Sequence, residues 1–479
     1  MKQRICLTLA ASSLAEDLAL ARKYGGMADF IELRADRLSE QDPGAIAAFP
    51  AQAGIPAILT FRRRRDGGAF DGEDASRKPL FAAAIPAFDF VDFESDFAVP
   101  ELEALARRSG TRVIRSVHDF CGYDGALAAS IDSILRSEDE IPKLAFKADS
   151  PADITAFHRA VSALPPRDRI FCAMGPAGAV TRILPAAFGS MLTFASPPES
   201  VASMGAVGHI DIVSLSRIHQ VRKTGPATSL RAVTGWPLAV TASPEIHRDY
   251  CDGDGTDAVM VPIPSQEIGP AIELCEELGF RGLAVTVPHK QSLLALLDDV
   301  SPEAEAVGAA NTVVWENGRR MGYNTDIGGF SDAISTFVGR RSLAGMRTAV
   351  IGSGGAARAV AFALARLGAD GAIYARNAAA AAELSALSGF KSLPTGAIAA
   401  HGPFDLIVQC TSLGNGSSNP DDDPIPGYRF SGRELVYDLI YKPALTPLLR
   451  RASSAGCRVE NGMSMLIAQG RRQHRLWNA

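Results

Sequence analysis

The chain has seven cysteines in 479 residues, Cys6, Cys121, Cys172, Cys251, Cys275, Cys410 and Cys457, and no two of them form a C-x-x-C pair. An odd, scattered set of this kind speaks against a disulfide scaffold and points to free thiols in a reducing cytoplasm. No apolar run is long enough to span a bilayer, so a membrane-spanning protein is not expected. A strong charge excess is also missing. The formal net charge of −5 argues against nucleic acid or an anionic membrane as a main partner. The eight histidines are dispersed, and no zinc or magnesium site is expected. Low-complexity tracts and short repeats are absent, apart from an alanine run after Asn377 that reads as helix.

What is present is ordinary globular material: 47% hydrophobic and 21% charged residues. A length of 479 residues exceeds what one core supports, so two or three domains are expected. The opening "MKQRICLTLAASSLA" sets basic residues before a short apolar run, as an export signal does. It is read instead as a first strand, Ile5 to Leu9, leading into the helix-like "SLAEDLALARKYG". Seven more strand candidates follow: "DFIELRAD", "AILTFR", "FVDFES", "RVIRSVHD", "PKLAFKA", "RIFCAM" and "MLTFA". Helical segments separate them, which predicts an α/β fold, a closed (β/α)₈ barrel. Such barrels place reactive groups at the C-terminal ends of their strands. Glu32, Arg34, Arg62, Asp66, His118 and Lys143 all fall there.

Lysine forms imines when its neutral amine is available, and histidine moves protons near neutral pH. Either residue alone on a strand is more often structural; their shared position on successive strand ends is the functional signal. The pieces "IELRAD", "FRRRRDGG", "SVHDF", "IPKLA" and "VTRILPAAFGS" occur in residues 1 to 222, and by them this portion resembles type I 3-dehydroquinate dehydratase. The resemblance implies that Lys143 forms an imine with the substrate ketone and that His118 transfers the proton. It also implies that Arg182 pairs with the substrate carboxylate, and that Glu32, Arg34 and Arg62 orient hydroxyls and one another. Two departures stand out. Asp66 replaces the glutamate that orients the histidine, and the family's Ser-Ala-Pro-Gly-Gln lid reads "GAVGH", with Gly205 for serine and His209 for glutamine.

The polar "HQVRKTGPATSLRAV" is broken by Gly-Pro, and residues 223–232 are read as a linker. A second α/β series follows. In it "IGSGGAAR" offers Gly352, Gly354 and Gly355, a turn that lets backbone approach a pyrophosphate, although Arg358 holds the third glycine's place. The next strand ends at Arg376, where a cation favours a 2′-phosphate and hence NADP. The series "GWPLAVTASPEIH", "AVTVPHK", "GAANT", "GYNTDIGGF", "IGSGGAAR", "VQCTSLG", "VYDLIY" and "GMSMLIAQG" gives residues from about 228 onward a resemblance to shikimate dehydrogenase.

That resemblance implies a catalytic pair, Lys290 and Asp326. It assigns the substrate carboxylate to Thr241 and Ser243, and the ring hydroxyls to Thr286, Asn311 and Gln469. It assigns the cofactor to Gly352, Ser353, Gly354, Gly355, Ala356, Arg376 and Thr411. Ala284 and Gln409 replace asparagines of the family, the cofactor signature reads Ala375, Arg376, Asn377, and Ala380 replaces a basic residue. The implied organisation is a barrel over 1–222 and a substrate domain over 233–335, completed by 461–479. A Rossmann-like NADP domain would occupy 336–460. The implied activity is bifunctional: 3-dehydroquinate to 3-dehydroshikimate, then NADPH-dependent reduction to shikimate, in aromatic amino acid biosynthesis. A barrel that only scaffolds an active shikimate or quinate dehydrogenase is the alternative. Oligomeric state is left open.

Overall fold

The structure is a computed structural model that describes residues 3–200, 208–238, 241–339, 342–416 and 419–479. The chain divides into two compact units. One comprises Met1–Ser229, Asp257–Ser265 and Pro270–Gly279; the other comprises Leu230–Thr256, Gln266–Gly269 and Phe280–Ala479.

The first unit is built on strands β1 (Ile5–Leu9), β2 (Phe30–Arg34), β3 (Ala57–Thr60), β4 (Phe90–Glu94), β5 (Arg112–Asp119), β6 (Ile141–Lys147), β7 (Ile170–Met174) and β8 (Thr193–Ser196). All neighbours pair in parallel, in the order β7-β6-β5-β4-β3-β2-β1-β8-β9. The last strand, β9 (Ile210–Asp211), makes nine where eight are expected. Two residues carry no periodicity that sequence could show. It pairs on the outer side of β8, through Ala195↔Ile210, so among the described residues the ladder ends on β7 and β9. The sheet curls around one core to which every strand from β1 to β8 contributes, including Cys6, Phe30, Ile58, Phe90, Ile114, Ile141, Ile170 and Phe194.

Side chains of a strand alternate in direction, so the residues two and four places after these apolar ones share their face. Those positions are Thr8, Glu32, Thr60, Asp92, Ser116 and Lys143, then Arg34, Arg62, Glu94 and His118. The interior is therefore layered, with hydrocarbon below and ionisable groups toward the strand C-termini.

The connecting helices start where the sequence supplies caps. Ser13 caps helix Leu14–Tyr24 by accepting from Glu16 N, and Asp124 caps Gly125–Ala129. Ser229 to Ala232, expected as linker, instead belong to β10 (Ser229–Gly235). Arg231 and Ala232 are buried there, and the parallel register Arg231↔Gly282 gives this stretch a sheet partner that overrides its polar, Gly-Pro-broken approach.

In order along the chain come β11 (Ala258–Pro264), β12 (Gly282–Val285), β13 (Asp299–Val300), β14 (Thr312–Glu316) and β15 (Arg319–Tyr323). Within the second unit the strand order is β10-β12-β14-β15-β13, with antiparallel pairing from β12 through β14 to β15. Then come β16 (Arg347–Ile351), β17 (Asp370–Ala375), β18 (Lys391–Pro394), β19 (Leu406–Gln409), β20 (Leu435–Asp438) and β21 (Arg458–Asn461). These form a wholly parallel sheet ordered β18-β17-β16-β19-β20-β21. The chain moves outward from β16 to one side and then to the other. That reversal between β16 and β19 is the crevice where doubly wound sheets bind ligands.

Helix Met463–Trp477 packs on helix Thr325–Val338 at Gly329. A Cβ at Gly329 would lie 2.6 Å from Gln469 Cβ and 2.7 Å from Gln469 N, so the absent side chain sets the spacing of the two helices. Gly329→Ala is expected to cost about 1–3 kcal/mol through overpacking. The check is thermal unfolding followed in the second unit: the midpoint falls by several degrees in the variant.

Candidate active sites

In the first unit Lys143 is 5% exposed, on the face of β6 between the core residues Ile141 and Ala145. Its Nζ lies 2.9 Å from Asp92 Oδ2 and 3.8 Å from Glu32 Oε1, and 4.4 Å from the centre of the Phe194 ring. Asp92 is the hub. Its carboxylate also takes Arg62 Nη2 at 2.7 Å and the Ser116 hydroxyl at 2.6 Å. Burial alone would raise the Asp92 pKa, but Arg62 and Lys143 outweigh it and hold the carboxyl well below the usual range. Glu32 accepts from the Thr8 and Thr60 hydroxyls, both at 3.0 Å. Arg34 forms a two-point pair with Asp36, at 2.9 and 2.8 Å.

His118 follows Ser116 by two residues on the same face of β5, and Ser116 is in register with Lys143. Burial, then the Arg62 and Lys143 charges, push its imidazole well below the usual pKa. It is therefore neutral at pH 7, with its Nδ1 buried and unpaired. The expected orienting contact from Asp66 is not made. Asp66 Oδ2 accepts from Arg63 Nε at 2.8 Å instead. An aspartate one methylene shorter than glutamate sits within reach of the guanidinium three residues back, which captures it.

Arg182 is buried and donates to the Phe194 carbonyl at 3.4 Å. Of the altered lid, Gly205 lies outside the described residues. His209 is half-buried directly before β9, and its pKa is lowered by burial and by Arg182, Arg34 and Lys143, which brings it to this same cluster.

In the second unit Lys290 Nζ donates to Asp326 Oδ2 at 2.6 Å. Asn324 caps helix Thr325–Val338, accepting from Asp326 N and Ile327 N, and so holds Asp326 in the first turn. Asn311 Nδ2 donates to Asp326 Oδ1 at 2.9 Å and lies 3.4 Å from Gln469 Oε1. Four of the expected residues thus form one contact set. Thr286 lies two residues past Ala284 of β12. Thr241 Oγ1 accepts from Ser243 N at 3.2 Å, where helix Ser243–Asp254 begins.

The glycine turn joins β16 to helix Gly355–Arg366. Gly352 has φ +111°, and a Cβ there would lie 2.9 Å from Thr411 Cγ2, so only glycine fits. A Cβ on Gly354 would meet open space, and one on Gly355 would press on Lys290 Cβ at 3.3 Å. Ser353 and Ala356 flank these glycines. Bare backbone at a helix N-terminus, at the strand reversal, fits a dinucleotide pyrophosphate. Arg376 is exposed directly after β17, an accessible cation for a 2′-phosphate. Arg358 instead ties the helix to Val307 O at 2.6 Å and to Glu383 at 2.9 Å. Thr411 Oγ1 accepts from Gln409 Nε2 at 2.9 Å.

A family model described as type I 3-dehydroquinase matches residues 5–226, and one described as the shikimate dehydrogenase substrate binding domain matches residues 233–313. The shikimate dehydrogenase (NADP(+)) of Shouchella clausii (strain KSM-K16) is 39% identical over 246 residues, covering 49% of this chain and 88% of that protein. The chain belongs to the shikimate dehydrogenase family, behind a type I 3-dehydroquinase domain.

A bifunctional 3-dehydroquinate dehydratase/shikimate dehydrogenase, chloroplastic, of Arabidopsis thaliana is 28% identical over 500 residues, covering 99% of this chain and 81% of that protein. A crystal structure of shikimate 5-dehydrogenase from Thermus thermophilus, with NADP(H) and shikimate, is 32% identical with a TM-score of 0.47, over 52% of this chain and 93% of that one.

Sequence reasoning missed Asp92, Glu94 and Ser116 of the dehydroquinase half. The signal was present in "FVDFES", where Asp92 and Glu94 stand two and four residues after Phe90 and so share its inward face. Asp92→Asn is expected to cost the barrel about 3–5 kcal/mol, the usual result of breaking a buried ion pair. It should also lower dehydratase kcat/KM at least about 100-fold, or about 2.7 kcal/mol. Shikimate oxidation by the same polypeptide should be unchanged. Parallel assays of the two activities check this.

Asp438, fully buried at the end of β20, accepts from Ile440 N at 3.0 Å and from the Thr446 hydroxyl at 2.7 Å. Burial pushes its carboxyl from 3.8 up to about 7. Between these values the folded state keeps a proton that the unfolded state has lost. Its stabilising contribution is therefore complete below about pH 4 and is lost as pH rises to about 7, at up to about 1.4 kcal/mol per pH unit. Asp438→Asn should flatten this slope. Melting the variant and the parent from pH 4 to 8 should show the variant relatively more stable at the alkaline end.

Proposed function

We propose that the protein catalyses two consecutive reactions, dehydration of 3-dehydroquinate to 3-dehydroshikimate and NADPH-dependent reduction of that product to shikimate. The observation that carries this reading is that each unit holds a lysine ammonium on a buried carboxylate, Lys143 on Asp92 and Lys290 on Asp326. The names of the relatives support it.

In the barrel the Lys143 amine, once deprotonated, adds to the substrate ketone and expels water to give an imine. The imine withdraws electrons from the adjacent carbon and acidifies its C–H. Neutral His118 takes that proton and delivers it to the departing hydroxyl, which leaves as water. Hydrolysis of the imine restores the amine, so the net loss is one water. Arg182 pairs with the substrate carboxylate, while Glu32, Arg34 and Arg62 hold hydroxyls and one another. Asp66 is held by Arg63 at the edge of this site. Burial and the charges of Arg182, Arg34 and Lys143 lower the pKa of the His209 imidazole, which favours its neutral form.

In the second unit a nicotinamide cofactor held at the glycine turn would supply hydride to the substrate carbonyl. Lys290, held by Asp326, gives its proton to the carbonyl oxygen as that oxygen gains charge. Thr241 and Ser243 take the carboxylate, and Thr286, Asn311 and Gln469 the ring hydroxyls. Gly352, Ser353, Gly354, Gly355 and Ala356 would present backbone to its pyrophosphate, Thr411 lines the turn beside Gly352, and Arg376 would meet its 2′-phosphate.

All seven cysteines stand as thiols, which supports a reducing cytoplasm. No helix of the described residues is long and apolar enough to cross a membrane.

The test is a coupled assay with 3-dehydroquinate and NADPH, following shikimate. Lys143→Ala should abolish the dehydration and leave shikimate oxidation intact, and Lys290→Ala should do the reverse. Borohydride with substrate should add a covalent adduct at Lys143 by mass spectrometry. A wild-type chain with no adduct and no dehydration would reduce the barrel to a scaffold for the dehydrogenase. NADH serving as well as NADPH would remove the role given to Arg376.

A further inference from the structure

Helix Met463–Trp477 carries a stripe of polar side chains at every fourth residue, Gln469, Gln473 and Trp477, all buried. Each reaches a successive residue at the start of β14. Gln469 Oε1 lies 3.4 Å from Asn311 Nδ2, and Gln473 Nε2 donates to Thr312 Oγ1 at 3.0 Å and to the Asn311 carbonyl at 3.3 Å. Trp477 Nε1 donates to the Val313 carbonyl at 3.0 Å. Gln473 touches neither Lys290 nor Asp326, yet it holds both sides of the residue that does.

The bonds that pass through Gln473 all run in one direction. Buried His247 faces Gln473 Oε1 with its Nε2 at 3.4 Å. Because that oxygen can only accept, His247 Nε2–H is the donor, and the amide is fixed with its nitrogen toward β14. The Thr312 hydroxyl, having accepted from Gln473, donates to Asn311 Oδ1 at 2.9 Å. Thr325 N donates to the same oxygen at 2.8 Å, so the Asn311 amide has one orientation, with its Nδ2 toward Asp326 Oδ1. Every link from His247 through Gln473, Thr312 and Asn311 therefore donates toward the carboxylate that holds Lys290. His247 is surrounded by Arg231, His474, Tyr250 and Trp477, and burial with the Arg231 charge keeps it neutral, down to about 3.

We propose that Gln473, backed by His247, is a positioning residue of the dehydrogenase site, aligning Asn311 so that its amide stabilises ionised Asp326 against Lys290. The inference rests on the reading of Lys290 and Asp326 as the catalytic pair. Hydrogen bonds that donate in one direction reinforce one another, so losing a distant link is felt at the last acceptor. Asp326 is faced by Lys290 from the turn after β12 and by Asn311 from the start of β14, and it lies in the first turn of its own helix.

The experiment uses the full chain and shikimate oxidation with NADP. Gln473→Leu keeps the volume and removes both donors. It is expected to raise shikimate KM about fivefold to tenfold, as the loss of a buried hydrogen bond does. It should also move the acid limb of the kcat/KM pH profile to higher pH, because a carboxylate that loses a donor binds its proton more tightly. NADP KM and dehydratase activity should be unchanged, and Gln473→Leu in an Asn311→Ala background should add nothing further. If Gln473→Leu fails to fold, Thr312→Val breaks the same relay from the strand side and should shift the limb in the same direction. A folded variant with an unmoved acid limb and KM, or an effect additive with Asn311→Ala, overturns the proposal. A wild type without shikimate oxidation, or an active Lys290→Ala, would instead overturn the reading of the pair.

Discussion

An ammonium group taken out of water must meet a carboxylate, and that carboxylate must be held by further donors, or the burial costs several kcal/mol. Both halves of this chain are arranged around that requirement. Asp92 receives Lys143 from β6, Ser116 from β5 and Arg62 from just past the end of β3, none of which is local to it in sequence. Asp326 receives Lys290 and Asn311 from two separate segments of the chain. Neither carboxylate could be built by a single helix or loop. The long-range strand pairing that assembles each sheet is thus also what assembles each charge pair.

Strand alternation then decides which end of the barrel is reactive. The positions Phe30, Ile58, Phe90, Ile114 and Ile141 fill one level with hydrocarbon that excludes water from below. Glu32, Thr60, Asp92, Ser116 and Lys143 stand two residues further along the same strands, on top of that apolar floor. Low polarity beneath strengthens every charge interaction above it. It also accounts for neutral His118: with hydrocarbon below and Arg62 and Lys143 nearby, a positive imidazole is disfavoured, which leaves a free base to accept a proton.

Much of this was legible in the sequence because it depends on period and order. The first eight barrel strands follow from alternating apolar runs, and His118 falls near the end of its strand as counted, whereas Lys143 and Glu32 each stand third in theirs, on the same inward face. The glycine turn before helix Gly355–Arg366 was visible as well, since a φ of +111° at Gly352 needs glycine. What could not be read was partnership. "FVDFES" shows that Asp92 points inward, but not that it reaches Lys143, 51 residues away. The two-residue strand β9 is too short to leave a pattern. Ser229 to Ala232 looked like linker because their burial depends on pairing with β12, more than 50 residues later in the chain.

The departures from the two family patterns show side-chain length acting as a switch between partners. Asp66 is one methylene shorter than the glutamate it replaces, and a neighbouring guanidinium, Arg63, takes it at 2.8 Å. The histidine is then left with electrostatic support from Asp92 in place of a direct hydrogen bond. Gln409 is one methylene longer than the asparagine it replaces. Its amide spans the turn after β19, donating to Thr411 Oγ1 at 2.9 Å and to the Leu413 carbonyl at 3.0 Å while accepting from Thr411 N at 2.8 Å. In one case a shorter chain leaves a buried imidazole without that partner; in the other a longer chain ties down the loop beside the glycine turn. Ala284 has no such replacement. Its methyl is buried in β12, which leaves the hydroxyl of Thr286, two residues on, as the remaining polar side chain at that strand end. The polar contact between Asn311 and Gln469 lies beside this strand end, and the position of Gln469 is fixed by the packing of two helices at Gly329.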